Sequence, residues 1–226
     1  MSEILVAAII WVVTHLGLSS TGLRAGLVKV IGANGFLILY SLIAAAALGY
    51  LIYLYGQVER LDYMWLPNPD LYWVPKIIMV IAMILLVGSF MVKNPSMVGM
   101  TLEAEEAAGL ATGVTRITRH PLQWAIVLWG LSHMVANGDL VSWIFFSSFV
   151  VISFFGTMLM DRKKAESFGE AWQLYAGVTS NIPFGAIASG RNKLVIGELW
   201  LPILVGVIVY ALLYFFHEAY TGTVVI

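Results

Sequence analysis

The chain carries four histidines, His15, His120, His133 and His217, and no cysteine. A neutral imidazole is the commonest protein ligand for a transition metal and the side chain that titrates nearest neutrality, so metal ligation and proton transfer are the chemistries on offer. Without cysteine there are no disulfides, thiolate metal sites or thiol nucleophiles. His15 and His133 fall inside long apolar stretches. A polar side chain there is costly unless it faces a bundle interior with a partner, which makes both candidates for function. The plainer alternative is that each hydrogen-bonds a neighbouring carbonyl and pins two helices together.

Helices in a membrane must position these residues. The chain is 60% hydrophobic and 11% charged over 226 residues, with mean hydropathy +0.89, against about 25% charged residues in a soluble domain. Six apolar runs approach the roughly twenty residues that cross a hydrocarbon layer; they occupy residues 4–19, 35–55, 73–92, 121–136, 140–160 and 199–216. None alternates as a barrel strand does, and in lipid a helix satisfies every amide within its own segment. The expectation is an all-α fold, an integral membrane bundle of about six transmembrane helices with interfacial cytoplasmic helices, forming a single domain over residues 1–226. The first run has no basic flank before it and reads as a span rather than a cleavable leader.

Ten of the twelve basic residues sit in the odd-numbered connections: Arg24 and Lys29; Lys93, Arg116 and Arg119; Arg162, Lys163, Lys164, Arg191 and Lys193. The positive-inside rule places these loops in the cytoplasm and both termini outside. Tyr63, Trp65, Tyr72 and Trp73 fit an outer aromatic belt. Residues 97–119 and 161–193 mix charge with aromatics as interfacial segments do. The net charge of −1 argues against a nucleic-acid partner.

Counting 1.5 Å per residue inward along the first run and outward along the fourth puts His15 and His133 in the middle third of the layer, roughly 6 Å apart in height. His217 lies roughly 17 Å from His15 by the same count and is its poorest partner. Two midplane imidazoles among apolar side chains suit a porphyrin iron held from both faces, whereas zinc wants three or four donors and no carboxylate lies within the runs. Arg116, Arg119 and His120 precede Pro121, which opens a helix where its missing amide is tolerated. They make an anion-friendly corner, or else the arginines anchor lipid phosphates. Arg24 and Arg191 are candidates to neutralise the carboxylates of a haem or a substrate.

Taken together, Thr14 to Ser20 with Arg24, Arg116 to Trp124, Leu128-Trp129 with His133, Asn137-Gly138-Asp139, and Asp161 to Lys164 through Ile182 to Ile187 with Arg191 resemble the NnrU family. That family is associated with nitrite and nitric oxide metabolism in denitrifying bacteria and includes the plant and algal 15-cis-zeta-carotene isomerase. The resemblance implies a multi-pass protein of the bacterial inner membrane holding haem b. His15 and His133 fall on the axial ligand positions, and Arg24, Arg116, Arg119, His120 and Arg191, singled out above from their own chemistry, are the candidates to contact that cofactor. It further implies redox-dependent cis-trans isomerisation of a hydrophobic polyene, with an electron donor as partner. One departure stands out: the isomerase has a cysteine three residues before its second ligand, and this chain has Gly130. A non-catalytic haem protein handling electrons or nitric oxide is the alternative. A third reading is a membrane methyltransferase, since Arg119-His120-Pro121 followed by Phe168-Gly169 and Trp172 is similar to regions that bind S-adenosylmethionine.

Overall fold

The computed structural model describes residues 1–19 and 22–222, with only the backbone of Leu71. Ser20, part of the first motif above, lies outside them. Every apolar run is a helix. α1 (Ser2–Val13) continues into a π-helical turn, Thr14–Leu18; α2 is Gly22–Gln57, α3 Trp73–Met91, α4 Ala104–Ala107 and α5 Val114–Ile117. Then come α6 (Pro121–Asn137), α7 (Leu140–Phe168), α8 (Glu170–Val178), α9 (Gly185–Ala188), α10 (Trp200–Phe215) and α11 (His217–Thr221). Among the described residues no strand occurs, only an isolated bridge between Tyr63 and Asp139.

Three helices, α2, α3 and α7, are long and apolar enough to cross a membrane alone. Of the six expected spans, these three are candidates by length and composition among the described residues, and the remaining apolar runs form shorter helices. α1 with its π turn and α10 are apolar but short. α6 has 17 residues, about 26 Å of rise, and carries Gln123, Ser132, His133 and Asn137. Packing explains why α6 tolerates them. The helices are arranged in the order α10, α3, α6, α7, α1, α2, each packed on the next, so α6 is enclosed by α3 and α7 rather than bathed in lipid. Ser132 Oγ, for example, donates to the Pro75 carbonyl of α3 at 3.1 Å. At the α3–α10 seam, a Cβ on Gly206 would lie 2.8 Å from Ile84 Cα, so only glycine allows that approach.

α2 is longer than its apolar run because helix resumes on both sides of Gly32, where φ 76 and ψ 168 break the hydrogen-bond ladder. The two stretches expected at the interface are present as short helices. α8 buries Ala171, Trp172 and Tyr175 against Leu102 and Ala107 of the α4 segment, and leaves Gln173 and Leu174 exposed. At the opposite end, residues 62–65 lie across the α6–α7 turn: Leu140 N–H donates to the Asp62 carbonyl at 2.8 Å and Met64 N–H to the Gly138 carbonyl at 2.9 Å. Asp139 caps α7 by accepting from Ser142 N–H at 2.8 Å.

Candidate functional site

His133 sits on the face of α6 that looks across at the aromatic side of α7. Its ring lies 4.7 Å from Phe146 and 5.0 Å from Trp129, centroid to centroid. Nδ1 is 2.8 Å from the Trp129 carbonyl, which only accepts, so Nδ1 carries the proton and the lone pair of the neutral ring is on Nε2. The i−4 carbonyl is within reach because both groups share one helical face.

His15 lies in the π turn, a local widening of the kind that often marks a functional position. Its ring packs 3.8 Å from Trp11 and 5.7 Å from Tyr40, and its Nδ1 is buried without a hydrogen-bond partner. The two histidines that depth counting put together face different neighbours. α1 and α6 pack on α7, and Phe149 of α7 touches Trp11 at 5.8 Å on one side and Trp129 at 5.3 Å on the other. Phe149 thus links the rings packed on His15 to those packed on His133.

The structure instead brings His133 to His217, whose rings are 6.5 Å apart and 27° from parallel. α10 ends at Phe215 and Phe216 (φ −99, ψ 6) turns the chain into α11. The depth count, which extends a straight helix, has no means of registering that turn. Among the described residues no group of three or more metal-binding side chains converges.

The arginines make well-defined contacts within the protein. Arg119 pairs with both oxygens of Asp161, donating from Nε at 2.7 Å and from Nη2, and lies 6.0 Å over Trp172. His120 Nε2 donates to the same carboxylate at 2.6 Å and Asn181 Nδ2 at 3.2 Å. Burial holds the His120 imidazole below its ordinary pKa, and Asp161 offsets this only in part. Its Nδ1 is buried without a partner, which also suits the neutral form. Arg116 forks onto Glu198 at 2.7 and 2.8 Å and reaches Asn192 at 2.7 Å. Arg191 closes the end of α8 on the carbonyls of Ala176, Gly177 and Thr179. Arg24 lies 5.5 Å over Phe36, whose ring stacks on Tyr40, the neighbour of His15. Asp161 and Glu198 were visible in the sequence only as charges near loops. Their roles arise from contacts across 42 and 82 residues.

Gly130, one turn before His133, packs tightly on α7: a Cβ there would lie 2.6 Å from Val150 Cγ2 and 3.1 Å from the Phe146 carbonyl. A cysteine at this position would force the Val150 side chain and the facing backbone of α7 to shift.

A family model described as NnrU protein matches residues 3–225. The 15-cis-zeta-carotene isomerase, chloroplastic, of Zea mays is 37% identical over 83 residues, which is 37% of this chain and 23% of the relative. That of Arabidopsis thaliana is 36% identical over the same length and shares of each chain. The matched segment therefore spans under a quarter of either curated relative. No solved structure matches the chain.

Proposed function

Because the chain belongs to the NnrU family over nearly its whole length, we propose that it is a membrane-embedded carotenoid isomerase-like protein acting on a cis double bond of an apolar polyene. The observation that carries this reading is the segment shared with two 15-cis-zeta-carotene isomerases. The surroundings of His133 support it. Trp129, Phe146 and Phe149 present ring faces and edges, a lining suited to a flat conjugated chain. A groove between α1 and α7, lined by Leu5, Val12, Val13, Ile144 and Val151 together with Ser147 and Ser148, is predominantly apolar.

Substrate and product of a cis-trans isomerisation have the same composition, so the protein has only to extract the polyene from lipid, hold one double bond and lower the barrier to its rotation. Apolar helices presenting an aromatic cluster serve the first two needs. His133 packs directly on these rings, 4.7 Å from Phe146 and 5.0 Å from Trp129. The iron centre implied by the family would supply the third by lending or withdrawing an electron from the conjugated system.

The test is conversion of 15-cis-zeta-carotene by the purified protein in detergent or nanodiscs, followed by chromatography under oxidising and reducing conditions, with the maize isomerase run in parallel. We expect the 15-trans product under at least one condition. Absence of product under both, while the maize protein turns over, would sink the reading. The methyltransferase reading places its ligand at Arg119 and His120, and both are committed to Asp161, so no observation favours it.

A further inference from the structure

We propose that Arg24 and Lys163 form a two-cation site for the phosphate of an anionic phospholipid headgroup, assembled at the border of the apolar layer by the bend of α2 at Gly32. The site is independent of the isomerase reading and stands or falls separately.

Sorting the basic residues by what they touch isolates the pair. Lys93, Arg116, Arg119 and Arg162 each pair with a carboxylate, while Lys164 and Arg191 donate to backbone carbonyls. Among the described residues no carboxylate pairs with Arg24 or Lys163. The two nevertheless face each other across the contact between α2 and α7, near enough for their charges to repel. Like charges brought together from separate helices oppose folding unless an anion lies between them.

The bend is what brings them together. On a straight helix, residues 24 and 36 would stand about 18 Å apart in height and on different sides. Arg24 Cζ instead lies 5.5 Å over the Phe36 ring. The chain therefore folds back at Gly32, whose φ 76 and ψ 168 fall in a region essentially reserved for glycine. Arg24 is thereby returned to the level of Phe36, where the apolar run of α2 begins, and Lys163 stands just past Met160, where that of α7 ends. Both cations thus lie where an apolar layer gives way to headgroups.

The chemistry around the pair fits a lipid. Phe36 covers one face of the guanidinium and leaves its N–H edge, a fork matched to phosphate oxygens, while Lys163 adds a compact point charge. Lys163 is half-buried and Arg24 exposed, so the site opens outward. Val30, at 82% exposure, and Ile31 on the near side of the bend, with Leu37 and Ile38 beyond it, offer acyl chains an apolar surface beside the charges. A free phosphate would gain nothing from that surface.

The experiment uses the full chain, stripped of lipid in detergent. It compares wild type with Arg24→Gln, Lys163→Gln, their double variant, the charge-conserving Arg24→Lys with Lys163→Arg, Gly32→Ala and Lys193→Gln, each first shown to be monodisperse. Native mass spectrometry follows the uptake of phosphatidylglycerol and, separately, of phosphatidylcholine with the same acyl chains. A further arm adds inorganic phosphate as a competitor. We expect wild type to prefer phosphatidylglycerol by about tenfold, each single glutamine variant to lose about threefold of that, and the double variant to lose nearly all of it. The charge-conserving pair and Lys193→Gln should keep the preference. Gly32→Ala retains both charges but not the backbone conformation, and should lose it severalfold. The proposal is overturned if wild type takes up both lipids equally, if the double variant or Gly32→Ala keeps the wild-type preference, or if Lys193→Gln lowers it as far as the double variant does. It is also overturned if millimolar phosphate displaces phosphatidylglycerol, which would identify a free anion as the ligand.

Discussion

Asp161→Asn keeps the size of the side chain and removes the charge that two neighbours depend on. In the native protein the carboxylate accepts from Arg119 Nε at 2.7 Å and from Arg119 Nη2, from His120 Nε2 at 2.6 Å and from Asn181 Nδ2 at 3.2 Å. An amide offers one acceptor oxygen and turns its NH2 toward other donors, so about half of these contacts go and the guanidinium is left uncompensated. Removing one partner of a buried ion pair costs about 3–5 kcal/mol. The Asp161 side chain is 20% exposed and that of Arg119 13%, so solvent screening reduces the expectation to about 2–4 kcal/mol. Reversible unfolding in mixed micelles, titrated with a denaturing detergent, measures it directly. Asp70→Asn, in the exposed 3-10 turn Pro69–Leu71, should stay within about 0.5 kcal/mol of wild type. Replacing the pair together, as Arg119→Met with Asp161→Leu, should recover most of the loss, because no charge is then left buried alone. The reasoning fails if Asp161→Asn falls within about 0.5 kcal/mol of wild type, or if the double variant is no more stable than the single one.

Three further outcomes follow from the same geometry. Gly130→Ala should destabilise by about 1–3 kcal/mol through overpacking against Val150 and the Phe146 carbonyl, and adding Val150→Ala should relieve part of it in the same unfolding titration. Hydrogen bonding from Arg116, outweighing burial and helped by Gly113 N–H, holds the Glu198 carboxyl below its ordinary pKa. Its stabilising contribution is therefore complete above the ordinary carboxylate range and is lost as pH falls through the lower native value, so Glu198→Gln should flatten the acid limb of a stability-against-pH curve while leaving other limbs unchanged. Arg191→Ala should lower stability by about 1 kcal/mol by uncapping α8 and leave haem uptake at the wild-type level, since its guanidinium is committed to three carbonyls; a severalfold drop in uptake would show that it faces a ligand.

What was legible in the sequence was whatever depends on one segment at a time. Pro121 opens α6 and Gly138, at φ 69, ends it, while Asp139 caps α7; each is a local signal, and these boundaries came out within a residue or two. Helix-crossing capacity was less legible, because hydropathy scores a segment against lipid, whereas α6 is solvated by α3 and α7 and owes its polar residues to that enclosure. The candidate site was half legible. His133 was singled out for lying at depth in an apolar run, and its Nδ1 bond to Trp129 is the i−4 contact that helical spacing allows. A depth count assigns each residue a height and no azimuth, so it does not register that the His217 ring lies 6.5 Å from that of His133. His15 and His133 share a height in that count, yet α7 and Phe149 stand between their helices. His217 reaches His133 because α10 gives way at Phe216 to a short helix with a new direction. Two residues on separate helices can share a ligand only if the helices are adjacent and their facing sides agree. In this chain adjacency follows from glycine contacts such as Gly130 against Val150 and Gly206 against Ile84, which take their meaning only once the partner helix is known.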